Sequence, residues 1–347
     1  MKKNLLGLDM VGMSAWFEEI GEKPFRAKQL IRWIHKFQET DFAAMTDLSK
    51  SLREKLVEIA EIRPPKVKAD KTAQDGTRKW LLDLGDNNSV EMVFIPTDTR
   101  GTLCISSQVG CKLKCPSCAT GQNGFKRDMT SDEIIGQLWV ANQRLGATPN
   151  GDRIIDNVVF MGMGEPLLNL DNTIAAIRIM MDDNAYGLSR RKVTVSTCGI
   201  IPGMDRLREE CPVALAISLH AANNTLRNKL VPINKKYPLK PLMAACSRYL
   251  DNTPKHHVTF EYILIDGLND QPSDAIELIE LVKDVSCKFN LIPFNPFPGS
   301  EYKRPRMEKV RNFADHLMKA DYVATIRKTR GEEIAAACGQ LAGELDK

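Results

Sequence analysis

Through the first sixty residues, apolar positions recur at helical spacing, most clearly over 27–37 and 48–62. Arg63-Pro64-Pro65 closes that stretch, because a residue before proline is driven out of the helical region. Residues 1–62 are therefore expected to form a small helical domain. Residues 79–84 and 90–95 follow, with strand character, on either side of the polar turn Gly85-Asp86-Asn87-Asn88. A β-hairpin linker region is expected over 63–97. From Thr102 onward short apolar runs alternate with amphipathic stretches. The pattern predicts strands at 103–106, 154–160, 192–196, 213–219, 258–265 and 288–294, and helices that include 131–145, 172–182, 239–250 and 273–285. Such alternation implies a parallel sheet covered by helices, hence an α/β fold. Six units suggest an open, partial (β/α)6 barrel over 98–330, followed by a tail over 331–347.

Composition adds a few exclusions. Hydrophobic residues are 43% and charged residues 27%, as in ordinary globular chains. No run of eighteen apolar residues appears, so no membrane partner is expected. The basic start breaks at Asp9 without a convincing cleavage site, which points to a cytoplasmic protein. A net charge of +4 says little alone, but the charge is clustered at Arg190-Arg191-Lys192, Lys235-Lys236, Lys303-Arg304 with Arg306, and Arg327-Lys328 with Arg330. Each cluster reads first as solvated surface and second as a set of phosphate contacts. Nine cysteines are an odd number, which suits metal ligation or catalysis better than a fully paired secreted framework.

Four of the nine cysteines fall between Cys104 and Cys118. Cys111, Cys115 and Cys118 stand at CxxxCxxC spacing just after the first barrel strand. A structural zinc site normally takes four protein ligands, and no fourth Cys or His lies nearby to complete one. Three thiolates can instead hold an iron–sulfur cluster with one iron open to a small molecule. A zinc knuckle or three unrelated thiols is the alternative. In open α/β sheets ligands gather at the carboxyl ends of strands. Those ends carry Met161-Gly162-Met163-Gly164-Glu165-Pro166, Ser196-Thr197-Cys198-Gly199, Ser218-Leu219-His220 and Asn295-Pro296-Phe297-Pro298-Gly299. Glu165 could accept an ammonium group there, whereas His220 alone reads as a structural histidine.

The cysteine spacing resembles that of the radical S-adenosylmethionine superfamily, which implies a [4Fe-4S] cluster on Cys111, Cys115 and Cys118 whose open iron chelates S-adenosylmethionine. The position before the last cysteine is often aromatic in that superfamily and is Ser117 here, which puts one adenine contact in doubt. Longer runs narrow the resemblance. They are Gly21-Glu22-Lys23-Pro24-Phe25-Arg26-Ala27, Ser218 to Asn223, Leu230 to Pro238, Asn295 to Gly299, Arg327 to Gly331, and Ala336-Ala337-Cys338-Gly339-Gln340-Leu341. Together they look like the RlmN family of dual-specificity RNA methyltransferases, over nearly the whole chain.

That resemblance implies methylation of C2 of one adenine in 23S rRNA and of the adenine beside the anticodon in tRNA, with two S-adenosylmethionine molecules used per methylation. C2 is an electron-poor carbon, so polar transfer from a sulfonium has no route and a radical supplies one. By the same resemblance Cys338 is the nucleophile that first takes the methyl group, Cys104 later forms a disulfide with Cys338 to release product, and Glu91 is the proton acceptor. S-adenosylmethionine contacts carry over to Gly164, Glu165, Ser196, Ser218, Leu219, His220 and Asn295, and electrons are expected from a flavodoxin or ferredoxin. On residues alone, Cys104 and Cys338 could be packed core thiols and Glu91 a solvated acid. Cys198, Cys211, Cys246 and Cys287 read as core. RNA contacts are expected at the N-terminal helices and the 327–330 loop. The competing readings are the C8-adenine methyltransferase that confers antibiotic resistance, a radical enzyme on another substrate, and a zinc-stabilised RNA-binding protein.

Overall fold

The computed structural model of the chain describes residues 2–149, 151–251 and 257–343. Met1 and residues 344–347, the outer ends of the expected 1–62 and 331–347 segments, lie outside the described residues. The N-terminal unit comprises β1 (Lys3–Asn4), α1 (Met10–Glu19), α2 (Arg26–Ile31) running into a π-helical turn (Arg32–Lys36), α3 (Lys50–Ile59) and β2 (Ala60–Glu61). Side-chain caps fix where α1 and α3 begin. Asp9 accepts the Gly12 N–H at 2.8 Å and Ser49 accepts the Leu52 N–H at 3.3 Å. The unit is tied to the barrel by Trp139 Nε1, which donates to the Ile34 carbonyl at 2.8 Å, and by Gln38 Nε2, which donates to the Trp139 carbonyl at 2.8 Å.

After the prolines come β3 (Lys66–Thr72), β4 (Arg78–Asp83) and β5 (Ser89–Pro96), all antiparallel. β3 was not among the expected strands. It is the edge of the sheet, and its charged residues alternate with half-buried ones, so it lacks the apolar signature of a paired strand. The extension is therefore three-stranded rather than a hairpin. It is also continuous with the barrel, because β5 pairs antiparallel with β6 (Gly101–Cys104).

The barrel then runs as β7 (Gln108–Gly110), α4 (Ala119–Gln122), β8 (Phe125–Asp128), α5 (Ser131–Leu145), β9 (Asn157–Phe160), α6 (Leu170–Met181), β10 (Val193–Thr197), α7 (Ile201–Glu210), β11 (Ala214–Ser218), α8 (Asn224–Leu230), α9 (Leu239–Leu250), β12 (Val258–Leu264), α10 (Pro272–Val282), β13 (Cys287–Pro293), α11 (Met307–Lys319) and β14 (Ala324–Ile326). β6, β9, β10, β11, β12, β13 and β14 are adjacent in that order and each pair is parallel. The six expected units are present, and the three-residue β14 adds a seventh strand too short to show a period. α5 matches its expected span of 131–145 because a Thr130–Glu133 capping box starts it and Gly146, at φ +73°, stops it. The sheet stays open, yet it curls. Arg327, just past β14, lies 3.7 Å from Glu261 on β12 and 3.7 Å from the Met161 sulfur just past β9. Among the described residues no helix is long and apolar enough to cross a membrane.

The strand ends are fastened by one arginine inside α8. Arg227 is fully buried and donates to the carbonyls of Leu219 (3.0 Å), Cys198 (2.8 Å) and Ser218 (3.1 Å) and to Asn234 Oδ1 (2.7 Å). It thereby joins the ends of β10 and β11. An Arg227→Met substitution strands all four acceptors. It is expected to lower the unfolding free energy by about 3–5 kcal/mol, the scale for a buried charged network that loses a member. Urea unfolding followed by circular dichroism checks this, and an unchanged midpoint would count against the tie.

Candidate active site

The cysteine loop is fixed from both sides by strand pairing. β7 and β8 form an antiparallel pair that brackets it, and the Cys111 N–H donates to the Gly124 carbonyl at 2.9 Å. The close approach depends on Gly110, whose φ is +75° and where a Cβ would meet the Gly124 oxygen at 1.8 Å. Beyond Cys118 the chain turns into α4.

Cys111, Cys115 and Cys118 all line a cavity of about 160 Å³ at the carboxyl ends of the strands. Gly164, Glu165, Ser196, Ser218 and His220 line it too. Leu219 and Asn295 do not. Leu219 is fully buried in the core, and its carbonyl is one of those held by Arg227. Asn295 is buried and donates from Nδ2 to the Cys338 carbonyl at 3.1 Å.

A second cavity of about 250 Å³ adjoins the first. Cys104 borders it from the end of β6, with Val93, Lys328 and Arg330 around it. Cys338, Arg327 and Met161 belong to the walls of both cavities. Cys104 and Cys338 are both free thiols. Glu91 borders neither cavity. It lies beneath the C-terminal segment, paired with Lys79 at 2.8 Å.

Burial sets the electrostatics. Glu165 is pushed up from 4.5 to about 7 by desolvation, against the N–H groups of Cys198 (2.8 Å) and Leu167 (3.1 Å) that it accepts. His220 is held down at about 3 by burial and by Arg227, so its ring is neutral. Its Nδ1 accepts the Ile263 N–H at 3.1 Å, which leaves the proton on Nε2. The backbone there is left-handed, φ +62°, uncommon outside glycine. Cys104 is pushed up to about 12 by burial and by Cys338, while Arg327 draws it down. The Arg327 guanidinium is raised in turn, chiefly by its charge interaction with Cys338, with burial opposing.

Burial also raises Cys111 and Cys118, which makes their thiolates costly without a cationic group beside them. Among the described residues no three His, Cys, Asp or Glu side chains close on a single metal ion. A donor set of three thiols at a cavity wall fits an iron–sulfur cluster, for which soft sulfur ligands are selected.

Several side chains here were not anticipated. Cys198, read as core, lines the smaller cavity instead, and a hydrogen bond with Cys115, then burial, raises it well above the ordinary thiol range. Its position in a strand-end loop was the available signal. Glu261 lines the same cavity, accepts Asn290 Nδ2 at 2.8 Å through Oε1, and leaves Oε2 without a hydrogen bond. A lone acid inside the apolar run Val258-Thr259-Phe260-Glu261-Tyr262-Ile263 marked it. Arg327, grouped with surface clusters, lies at the cavity wall 27% exposed.

The N-terminal segment, residues 3–62, matches the ribosomal RNA large subunit methyltransferase N-terminal domain, and residues 105–279 match the radical SAM superfamily. A radical SAM methyltransferase from Sphaerobacter thermophilus is similar to the chain at 39% identity and a TM-score of 0.91, over 99% of this chain and 100% of that one. Weaker likenesses are a domain of a pyruvate-formate lyase-activating enzyme from Bacteroides vulgatus (20% identity, TM-score 0.39, 50% of this chain and 99% of that one) and Streptococcus suis SuiB bound to S-adenosylmethionine (12%, 0.48, 67% and 51%).

The raised Glu165 carries a pH signature. A carboxyl raised on folding contributes stability that is full below its unfolded value, 4.5, and lost as pH rises through about 7. Cofactor-free Glu165→Gln should therefore gain on the parent between those limits by on the order of 3 kcal/mol. Urea unfolding across that range tests it; parallel pH profiles would contradict a protonated Glu165.

Proposed function

The chain belongs to the radical SAM methyltransferases of the RlmN type, and from that premise we propose that it methylates C2 of adenine in 23S rRNA and tRNA through a methylated Cys338. The observation that carries this is the place of Cys338 on the wall common to two adjoining cavities. One cavity has the three cysteines and Glu165 around it and suits S-adenosylmethionine. The other has Cys104 at its wall and Lys328 and Arg330 around it, and suits a base turned out of its stack, with phosphates near the two cations.

Held by Cys111, Cys115 and Cys118, the cluster would supply the one-electron chemistry that an electron-poor ring carbon requires, with electrons from a flavodoxin or ferredoxin. The protein's own residues do the rest. Glu165 receives the methionine ammonium, which favours its ionised form. His220, neutral, offers Nε2–H to the cavity. Cys338 takes the methyl group from one S-adenosylmethionine and gives up its thiol proton. Joining that methyl carbon to C2 costs it one hydrogen atom and leaves one surplus electron on the adduct, both of which the one-electron chemistry would take up; Glu91 then accepts the C2 proton. The Cys104 thiolate then attacks the Cys338 sulfur. The sulfur–carbon bond breaks, its electron pair goes to carbon, the carbon takes a proton, and the two sulfurs are left as a disulfide. Arg327, at the wall common to both cavities, favours the Cys104 thiolate.

Anaerobic incubation of reconstituted protein with RNA and methyl-labelled S-adenosylmethionine should yield 2-methyladenosine on digestion, with none from Cys338→Ala. Recovery of 8-methyladenosine would keep the mechanism and change the carbon attacked; undiminished product from Cys338→Ala would overturn the intermediate. Charge reversal at Lys328 and Arg330 should weaken RNA binding and flatten the slope of log affinity against log salt by roughly one to two. An unchanged slope removes that loop from the RNA interface.

A further inference from the structure

The segment that carries Cys338 has little regular structure of its own. After a single 3-10 turn at Glu332–Ile334 it crosses the strand ends as an irregular strap, gripped almost wholly through its backbone. The Ala119 N–H donates to the Gly339 carbonyl at 2.8 Å, Thr120 Oγ1 to the Leu341 carbonyl at 2.6 Å and Asn123 Nδ2 to the Ala342 carbonyl at 3.0 Å. All three donors lie within the five residues that follow Cys118. From the other side, the N–H groups of Ala342 and Gly343 both donate to Glu91 Oε2, at 2.6 and 2.9 Å. Glu91 Oε1 is paired with Lys79 Nζ at 2.8 Å, with the two side chains 4% and 8% exposed. Lys79 Nζ also donates to the Ala335 carbonyl at 3.2 Å.

Lys79 therefore reaches both flanks of Cys338, directly at residue 335 and through Glu91 at 342 and 343. We propose that Lys79 is a positioning residue that, with Glu91, latches the strap so that Cys338 stands between the two cavities for methyl acceptance. This role rests on Cys338 being the methyl acceptor. It also orders events at Glu91. While the strap is seated, both carboxylate oxygens are engaged, one by an ammonium and one by two amides. Glu91 lines neither cavity and lies under residues 342 and 343, so it can take a proton from a ring carbon only after those residues move aside. Methyl acceptance and proton removal thus belong to different positions of the strap.

The latch is tested on full-length, cluster-loaded Lys79→Met and Lys79→Arg without RNA, so that no proton removal is involved. Hydrogen exchange at the amides of Ala342 and Gly343 is read beside the rate at which Cys338 gains a methyl group, by intact mass. Lys79→Met is expected to speed exchange and to slow methyl gain roughly ten- to a hundredfold, as for a lost charge-assisted hydrogen bond, and Lys79→Arg to restore both. Strap amides protected as in the parent would overturn the latch. If Lys79→Met does not fold, Lys79→Met with Glu91→Gln removes both buried charges, and the same exchange reading decides. A parent protein that never gains a methyl group at Cys338 would sink the methyl-acceptor role, leaving exchange alone to judge the latch.

Discussion

Among the described residues seven parallel strands end at one rim, and at each end the backbone leaves the ladder that satisfied its N–H and C=O groups. Those groups lie where water is largely excluded, so each needs a partner or costs about 1–3 kcal/mol. Buried polar side chains supply the partners. Asn169 Nδ2 donates to the carbonyls of Ser107 (2.8 Å) and Met129 (2.7 Å). Gln137 brackets Ser106, accepting its N–H and donating to its carbonyl, both at 2.8 Å. Gln108 Oε1 accepts the Glu165 N–H at 2.9 Å, and Arg227 gathers three carbonyls. The loops are rigid because their polar backbone is satisfied in one arrangement only.

Placement of the chemistry follows from that rigidity. The cysteine loop leaves the β7–β8 pair and returns into α4, and the first residues of α4 hold the strap that bears Cys338. Loop and strap share one scaffold, so a shift in the loop is transmitted to the sulfur through hydrogen bonds to backbone atoms. Gly339, at φ +85°, lies where a Cβ would come within 3.2 Å of the Ser117 carbonyl.

Charge is placed as economically as polarity. His220 stays neutral beside Arg227, Glu165 is half-disposed to hold a proton until a cation arrives, and Arg327 sits beside Cys104, whose thiolate burial disfavours. In each case desolvation sets the resting state; at His220 the neighbouring Arg227 reinforces it, whereas at Cys104 Arg327 opposes it.

The sequence alone determined the period of the elements. Amphipathic stretches at 131–145 and 239–250 matched observed helices, and the CxxxCxxC run and strand-end loops marked most of one cavity. Local spacing could do this because helix and strand periods and ligand separation are short-range properties. Tertiary structure decided what depends on contact across the chain. β3 and β14 were illegible because one is a charged edge and the other three residues long. Arg227 and Lys79 look in sequence like any surface cation. Only folding buries them, since burial is set by what packs opposite: for Lys79, a strap more than two hundred and fifty residues away in the chain.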